Sequence, residues 1–280
     1  MPRGYTMSLA FPPFTRWVKR LILANAIIFF ALVVLRAFAD NAYYDLVRNL
    51  GLLPAAVLSG YLWQLITYAF LHSGLFHLLF NMLALWMFGS QLETDWGGRR
   101  FLEFFFFCVL GAALCTVGVA YTGFLGVTPR TLTVGSSGGI YGILVAFGVL
   151  YGDRELFMFP LPFTIKAKYV VIGLIFIALV GAFQDAGGIA NVAHLGGALF
   201  GFIYLKVIPR RGLALATSEQ YFGIRNAYYR WKRRRAARKF EVYMRKYDRE
   251  VYFDEYGNYR GSEQPPKEKK NGESKSGWVN

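Results

Sequence analysis

The chain has 280 residues, of which 55% are hydrophobic, 18% aromatic and 17% charged, with a mean hydropathy of +0.34. A soluble domain usually carries about 25% charged residues, so this balance excludes an ordinary water-soluble enzyme and fits a multi-pass membrane protein. The formal charge of +14 is uneven, with 18 Lys/Arg against 9 Asp/Glu from Arg210 onward; directly after an apolar run, that fits a segment facing anionic lipid better than a nucleic-acid surface.

In chain order, residues 1–17 read as a polar N-terminal cytoplasmic arm containing Pro12 and Pro13. Arg16, Lys19 and Arg20 precede a first apolar run, Leu21–Leu35. Ala37-Phe38-Ala39 mimics a signal-peptide cleavage site, but Arg36 beside it and the length of the run favour a retained span. Asp40–Leu62 reads as a long link with aromatics and mixed charge, too irregular to cross lipid. A second span is expected from Leu75 to Leu92 and a third from Phe101 to Tyr121. The fourth, Gly138–Tyr151, has 14 residues and is too short to cross about 30 Å of hydrocarbon unaided. Led by a loop rich in Gly and Thr, it reads as backbone that dips into the protein before turning helical. The fifth and sixth spans are Tyr169–Phe183 and Asn191–Ile208.

The expected architecture is an all-α bundle of six spans over residues 18–209, followed by a basic tail, 210–280. Six spans put both termini on one side. Arg16, Lys19, Arg20, Arg99, Arg100, Arg154, Lys166, Lys168 and the tail share that side, so the positive-inside rule makes it cytoplasmic. Ser137, at the start of the fourth span, then lies toward the outer face. Thr217–Tyr243 reads as a basic amphipathic helix opened by a capping box of Thr217 and Gln220. Gly261–Asn280, rich in Gly, Ser, Pro and Lys, reads as disordered.

Within the apolar segments a few polar residues stand out. Such residues usually face a cavity or line a functional path. Ser137 opens the fourth span, where a helix N-terminus stabilises negative charge. Gly138, Gly142 and Ala146 give that helix a face of small residues that another backbone can approach closely. Taken alone, Ser136 and Ser137 also read as caps and the glycines as packing. His194 opens the sixth span, and Gly197 and Gly201 make its side equally small. Contact between the two faces brings His194 beside Ser137, the pairing of nucleophile and base. His77 and Asn81, four apart on the second span, offer two donors converging on one point, as an oxyanion hole needs. No carboxylate is placed to complete a triad, and Tyr141 is positioned to stack on His194 instead. Cys108 and Cys115 read as packing residues. No cofactor or metal is expected.

These residues, in this order, resemble the rhomboid family of intramembrane serine proteases. The resemblance spans Arg16 to Pro209 and rests on His72, His77 and Asn81, on Gly135-Ser136-Ser137-Gly138 with Tyr141, and on Ala193-His194 with Gly197. It implies cleavage of membrane-anchored proteins, with Ser137 as nucleophile, His194 as general base, and His77, Asn81 and the Ser137 N–H as the oxyanion hole. Gly135, Gly138 and Gly197 would support the site. The form resembled is the basic six-span one, expected in a bacterial inner membrane. Trp63-Gln64 stands where many members carry Trp-Arg, and Glu93 matches a loop-supporting glutamate. Two other readings use the same residues. One is a catalytically dead relative that binds membrane clients, which the presence of both Ser137 and His194 disfavours. The other is a transporter with His77 and His194 as a proton relay, which lacks the expected internal repeats.

Overall fold

The computed structural model describes residues 12–123, 127–157, 163–183, 188–208, 213–246 and 251–260. Contacts divide the chain into two units, Met1–Leu213 and Ala214–Asn280, each described by itself.

The first unit is almost wholly helical. Helix α1 (Arg16–Phe38) is followed by α2 (Asp40–Leu50), α3 (Pro54–Leu58) and α4 (Gln64–Thr67). Then come α5 (Leu75–Ala84), α6 (Ser90–Trp96), α7 (Gly98–Ala120), α8 (Ser137–Leu150), a short hairpin of β1 (Glu155–Phe157) and β2 (Thr164–Lys166), α9 (Ala167–Ala182) and α10 (Gly188–Val207). Three helical stretches, Arg16–Phe38, Leu75–Trp96 and Gly98–Ala120, are long and apolar enough to cross a membrane. Ser137–Leu150, Ala167–Val180 and Asn191–Val207 are shorter apolar helices. The chain is an integral membrane protein.

The link after α1, not among the helices long enough to cross a membrane, is helical over Asp40–Leu50 and Pro54–Leu58. Its apolar residues, Tyr43, Val47 and Leu50, recur at helical spacing, a period that the mixed charge concealed. Gln64 ties this region down. Fully buried, it accepts from Leu53 N–H at 3.0 Å and donates from Nε2 to the carbonyls of Arg48 and Asn49 at 3.1 and 3.0 Å. A loop-stabilising role is therefore filled by an amide rather than an arginine.

The second long stretch is not one regular helix. Leu85–Gly89 winds as a π turn between α5 and α6. Beyond it Glu93 is buried, and its carboxylate accepts from the backbone N–H groups of Trp17 and Val18 and from the Thr15 hydroxyl. The first turn of any helix presents unpaired N–H groups and a positive dipole end. Glu93 satisfies that end of α1 from another helix. Phe14 stacks on Trp86 at 4.6 Å, and Val18, Leu21 and Phe29 enter the core.

The core gathers on α7, α8 and α10, with Phe101, Phe104, Phe105, Cys108 and Val109 against Ile140, Ile143 and Leu144, and with Ala198 and Tyr204. Cys108 is buried, Cys115 half-buried, and both are free. At the far end of α8, exposed Asp153 takes a 2.7 Å bond from Lys168, with Lys166 also near, and these cations hold its carboxyl below the ordinary pKa.

In the second unit, α11 spans Leu213–Arg245. Thr217 lies inside this helix, so the expected capping box does not exist. Leu213-Ala214-Leu215-Ala216 are good helix formers and extend the helix past it. Phe222, Tyr228, Tyr229 and Trp231 are exposed. Residues 251–260 form a tight turn. Asp254 accepts from the N–H groups of Tyr256 and Asn258, Phe253 bridges to Tyr259, and Phe253 meets Phe240 of α11 edge-on at 6.1 Å. The segment Gly261–Asn280, read as disordered, lies outside the described residues, as do residues 1–11 of the N-terminal arm.

Candidate active site

Helix α8 begins at Ser137, and two features set its mouth. Gly135 has φ +126°, a conformation that residues with a Cβ rarely adopt, and its N–H donates to the Tyr68 carbonyl at 2.9 Å. Upstream, Leu52 and Thr133 exchange backbone hydrogen bonds of 2.9 Å, fastening the incoming loop to the helical link after α1. The turn separates two neighbouring serines. Ser136 is fully buried and faces His72, with Oγ to Nε2 at 3.4 Å. Ser137 is half-buried and faces α10, where its Oγ lies 2.8 Å from His194 Nε2.

That distance is set by backbone contact between α8 and α10. A Cβ on Gly197 would fall 1.9 Å from the Gly138 carbonyl oxygen, and one on Gly201 would fall 2.8 Å from Gly142 Cα. Any larger residue at these points holds the helices apart. Gly138 itself has no room for a Cβ, since Ala112 Cβ would lie 2.5 Å away. His194 is held by stacking: the Tyr141 ring lies parallel to it within 6°, centroids 4.3 Å apart. His194 Nδ1 is buried and makes no hydrogen bond among the described residues. For Nε2 to accept the serine proton, the resting imidazole proton sits on Nδ1.

His77 and Asn81 lie on α5, as the spacing predicted. A Cβ at Gly135 would meet His77 Cε1 and Nε2 at 2.9 Å and Ser137 Oγ at 3.7 Å, so the imidazole edge and the hydroxyl border one small space. Asn81 is buried, and its Nδ2 donates to the His77 carbonyl at 2.9 Å. An amide nitrogen carries a second hydrogen, which that bond leaves available. Among the described residues no three His, Cys, Asp or Glu side chains gather as a metal site.

The "Rhomboid domain" family model matches residues 59–211, more than half of the chain. The chain belongs to the rhomboid family. Similar rhomboid proteins include Rhomboid protease AarA of Providencia stuartii, 28% identical over 197 residues, which cover 65% of this chain and 68% of that one. Rhomboid protease GluP of Bacillus subtilis is 31% identical over 183 residues, covering 60% of this chain and 33% of its own. The mitochondrial Rhomboid protein 1 of Saccharomyces cerevisiae is 29% identical over 136 residues, covering 49% and 39%. The chain thus spans about a third of the length of GluP and about two fifths of that of the yeast protein.

Two polar contacts in this rhomboid site are not evident from spacing. His72 faces Ser136, Nε2 to Oγ at 3.4 Å. Ser73 Oγ lies 3.0 Å from His77 Nδ1. Their spacing to His77 was visible; which atoms would meet depends on the loop backbone around them, which periodicity does not report.

Proposed function

We propose that this chain is an intramembrane serine endopeptidase that hydrolyses peptide bonds of membrane-anchored proteins. The observation that carries this is the 2.8 Å contact between Ser137 Oγ and His194 Nε2 at a helix N-terminus. Ser137 attacks the scissile carbonyl while His194 Nε2 takes its proton. The resulting oxyanion accepts from the Ser137 N–H, His77 and Asn81. His194 then protonates the leaving amine, and water, activated by the same imidazole, hydrolyses the acyl-enzyme. The relatives named as proteases support this chemistry.

The reading includes six spans with both termini cytoplasmic, in a bacterial inner membrane. The three shorter apolar helices would then cross as part of the bundle, buried against the longer ones. Its test is incubation of the purified protein in liposomes with a panel of single-span proteins. A defined cut near the membrane surface is expected, resistant to EDTA and to reducing agent, with a fluorophosphonate labelling Ser137 and not Ser136. No cut on any substrate together with no labelling overturns it, and labelling at Ser136 would move the nucleophile by one residue.

Asn81→Ala tests the oxyanion hole. Losing one such donor costs roughly 10²–10³ in turnover. The variant is expected to remain detectably active with KM little changed. Full turnover would remove Asn81 from the site.

The tail is read as a lipid-facing element. Its Lys/Arg residues contribute on the order of 1 kcal/mol each near anionic lipid, and exposed Tyr228 and Trp231 suit the headgroup boundary. Deleting everything after Arg211 leaves cleavage intact and weakens retention of anionic lipid during purification, measured by mass spectrometry of co-purified lipid. Loss of cleavage in properly inserted truncated protein would tie the tail to the chemistry.

A further inference from the structure

Among the described residues three Ser–His contacts lie around the mouth of α8, and the protease reading uses only one of them. Ser137 with His194 is the proposed dyad, and Ser136 with His72 is a long contact at 3.4 Å. The third is Ser73 Oγ with His77 Nδ1 at 3.0 Å. We propose that Ser73 is a positioning residue for the oxyanion hole: its hydroxyl donates to His77 Nδ1, which places the imidazole proton on Nε2, the nitrogen that borders the Ser137 space. The proposal rests on the protease reading and assigns a role within it.

Local geometry makes the contact. Gly74, the residue before α5, is extended at φ −173° and ψ 168°, so the chain enters the helix abruptly and Ser73 lies beside the first turn, which carries His77. The ring's other side is set as well. His77 meets His72 edge-on at 5.1 Å and 67°, and Nε2 and Cε1 abut Gly135.

Hydrogen-bond complementarity then selects the tautomer. A neutral imidazole has one N–H and one bare nitrogen. Ser137 gives its hydroxyl proton to His194, so what it turns elsewhere is lone pairs, and in the reaction it shares its space with an oxyanion. A bare Nε2 would face these acceptors with a lone pair of its own, whereas Nε2–H complements them. On the other side Ser73 is exposed. Its hydroxyl oxygen can accept from water while its hydrogen is given to Nδ1. Ser73 can serve either tautomer, so the Ser137 side decides: only Nε2–H complements the acceptors there, and Ser73 then donates to Nδ1.

The test uses the full-length protein in lipid bilayers, labelled with ¹⁵N at histidine. There are only three histidines, and spectra of His72→Gln and His194→Gln assign the remaining signal to His77. At about pH 8, where an ordinary imidazole of pKa about 6.5 is neutral, the wild-type spectrum is expected to show His77 with Nε2 protonated and Nδ1 bare. Ser73→Ala is expected to bring in the Nδ1–H form and to lower kcat about tenfold with KM within about twofold, less than the roughly 10²–10³ for removing a donor outright. Ser73→Thr, which keeps the hydroxyl, restores both. A wild-type His77 protonated on Nδ1 overturns the proposal, even if Ser73→Ala cannot be made. So does a Ser73→Ala protein whose tautomer is unchanged, whatever its kcat. Failure of the protease reading is seen separately, as absent fluorophosphonate labelling at Ser137, and leaves the histidine spectrum readable.

Discussion

Ser137→Ala is expected to abolish cleavage, and His194→Ala to do the same. In serine hydrolases whose nucleophile and base act as a unit, losing either member removes nearly all the rate that the pair supplies. A fall of at least about 10⁴-fold is expected for each, and the double variant should be no worse than either single one. Both variants should still insert and fold, because the apolar core on α7, α8 and α10 includes neither side chain. Each readout has a clear failing result. His194→Ala protein retaining more than about a hundredth of wild-type turnover would mean that Ser137 is activated some other way. The non-additivity is the sharper check, since two independent structural lesions would multiply instead.

Gly197→Ala is expected to be nearly as damaging without touching a reacting atom. The new methyl would lie 1.9 Å from the Gly138 carbonyl oxygen and 2.6 Å from its carbon. Both are backbone, so no side chain can swing aside and the helices must separate. Overpacking of this kind costs about 1–3 kcal/mol or more in stability. A displacement of about 1 Å at the site can cost 10²-fold in rate, and here it would stretch the 2.8 Å contact between Ser137 and His194 past hydrogen-bonding distance. Thermal unfolding in detergent together with turnover measures both effects. Gly173→Ala on α9 is the control, since nothing lies within 4 Å of its built Cβ. Wild-type activity in Gly197→Ala would show that α8 and α10 do not need this spacing.

The sequence was most informative where geometry is local and periodic. Glycines four apart on α8 and on α10 are a visible pattern, and their meeting is what sets Ser137 beside His194. The parallel placement of Tyr141 followed from its position one turn below Ser137. The pattern was least informative where a polar side chain serves backbone from a distant segment. Gln64 holds carbonyls 15 and 16 residues back, and Glu93 holds N–H groups 75 and 76 residues away. Neither has a spacing to recognise, and only family resemblance pointed to Glu93. The mistaken capping box at Thr217 has the opposite cause. Thr-x-x-Gln is a local signal, but the apolar residues before it favour helix more strongly, and the helix starts at Leu213.

The π turn at Leu85–Gly89 bears on how this chain tolerates changes of length. A π turn is a stretch of α-helix holding one surplus residue, which it absorbs without altering the faces on either side. His77 and Asn81 stand before it and Glu93 after it. Removing one residue from Leu85–Gly89 would rewind the stretch to ordinary α-helix and leave those side chains facing as they do now. Removing one elsewhere between His77 and Glu93 would instead swing the two ends by about 100° relative to each other. The carboxylate would then leave the N–H groups of Trp17 and Val18, or the imidazole would leave the serine. Between His77 and Glu93, those five positions are where a residue can be given up with both ends still facing as they do.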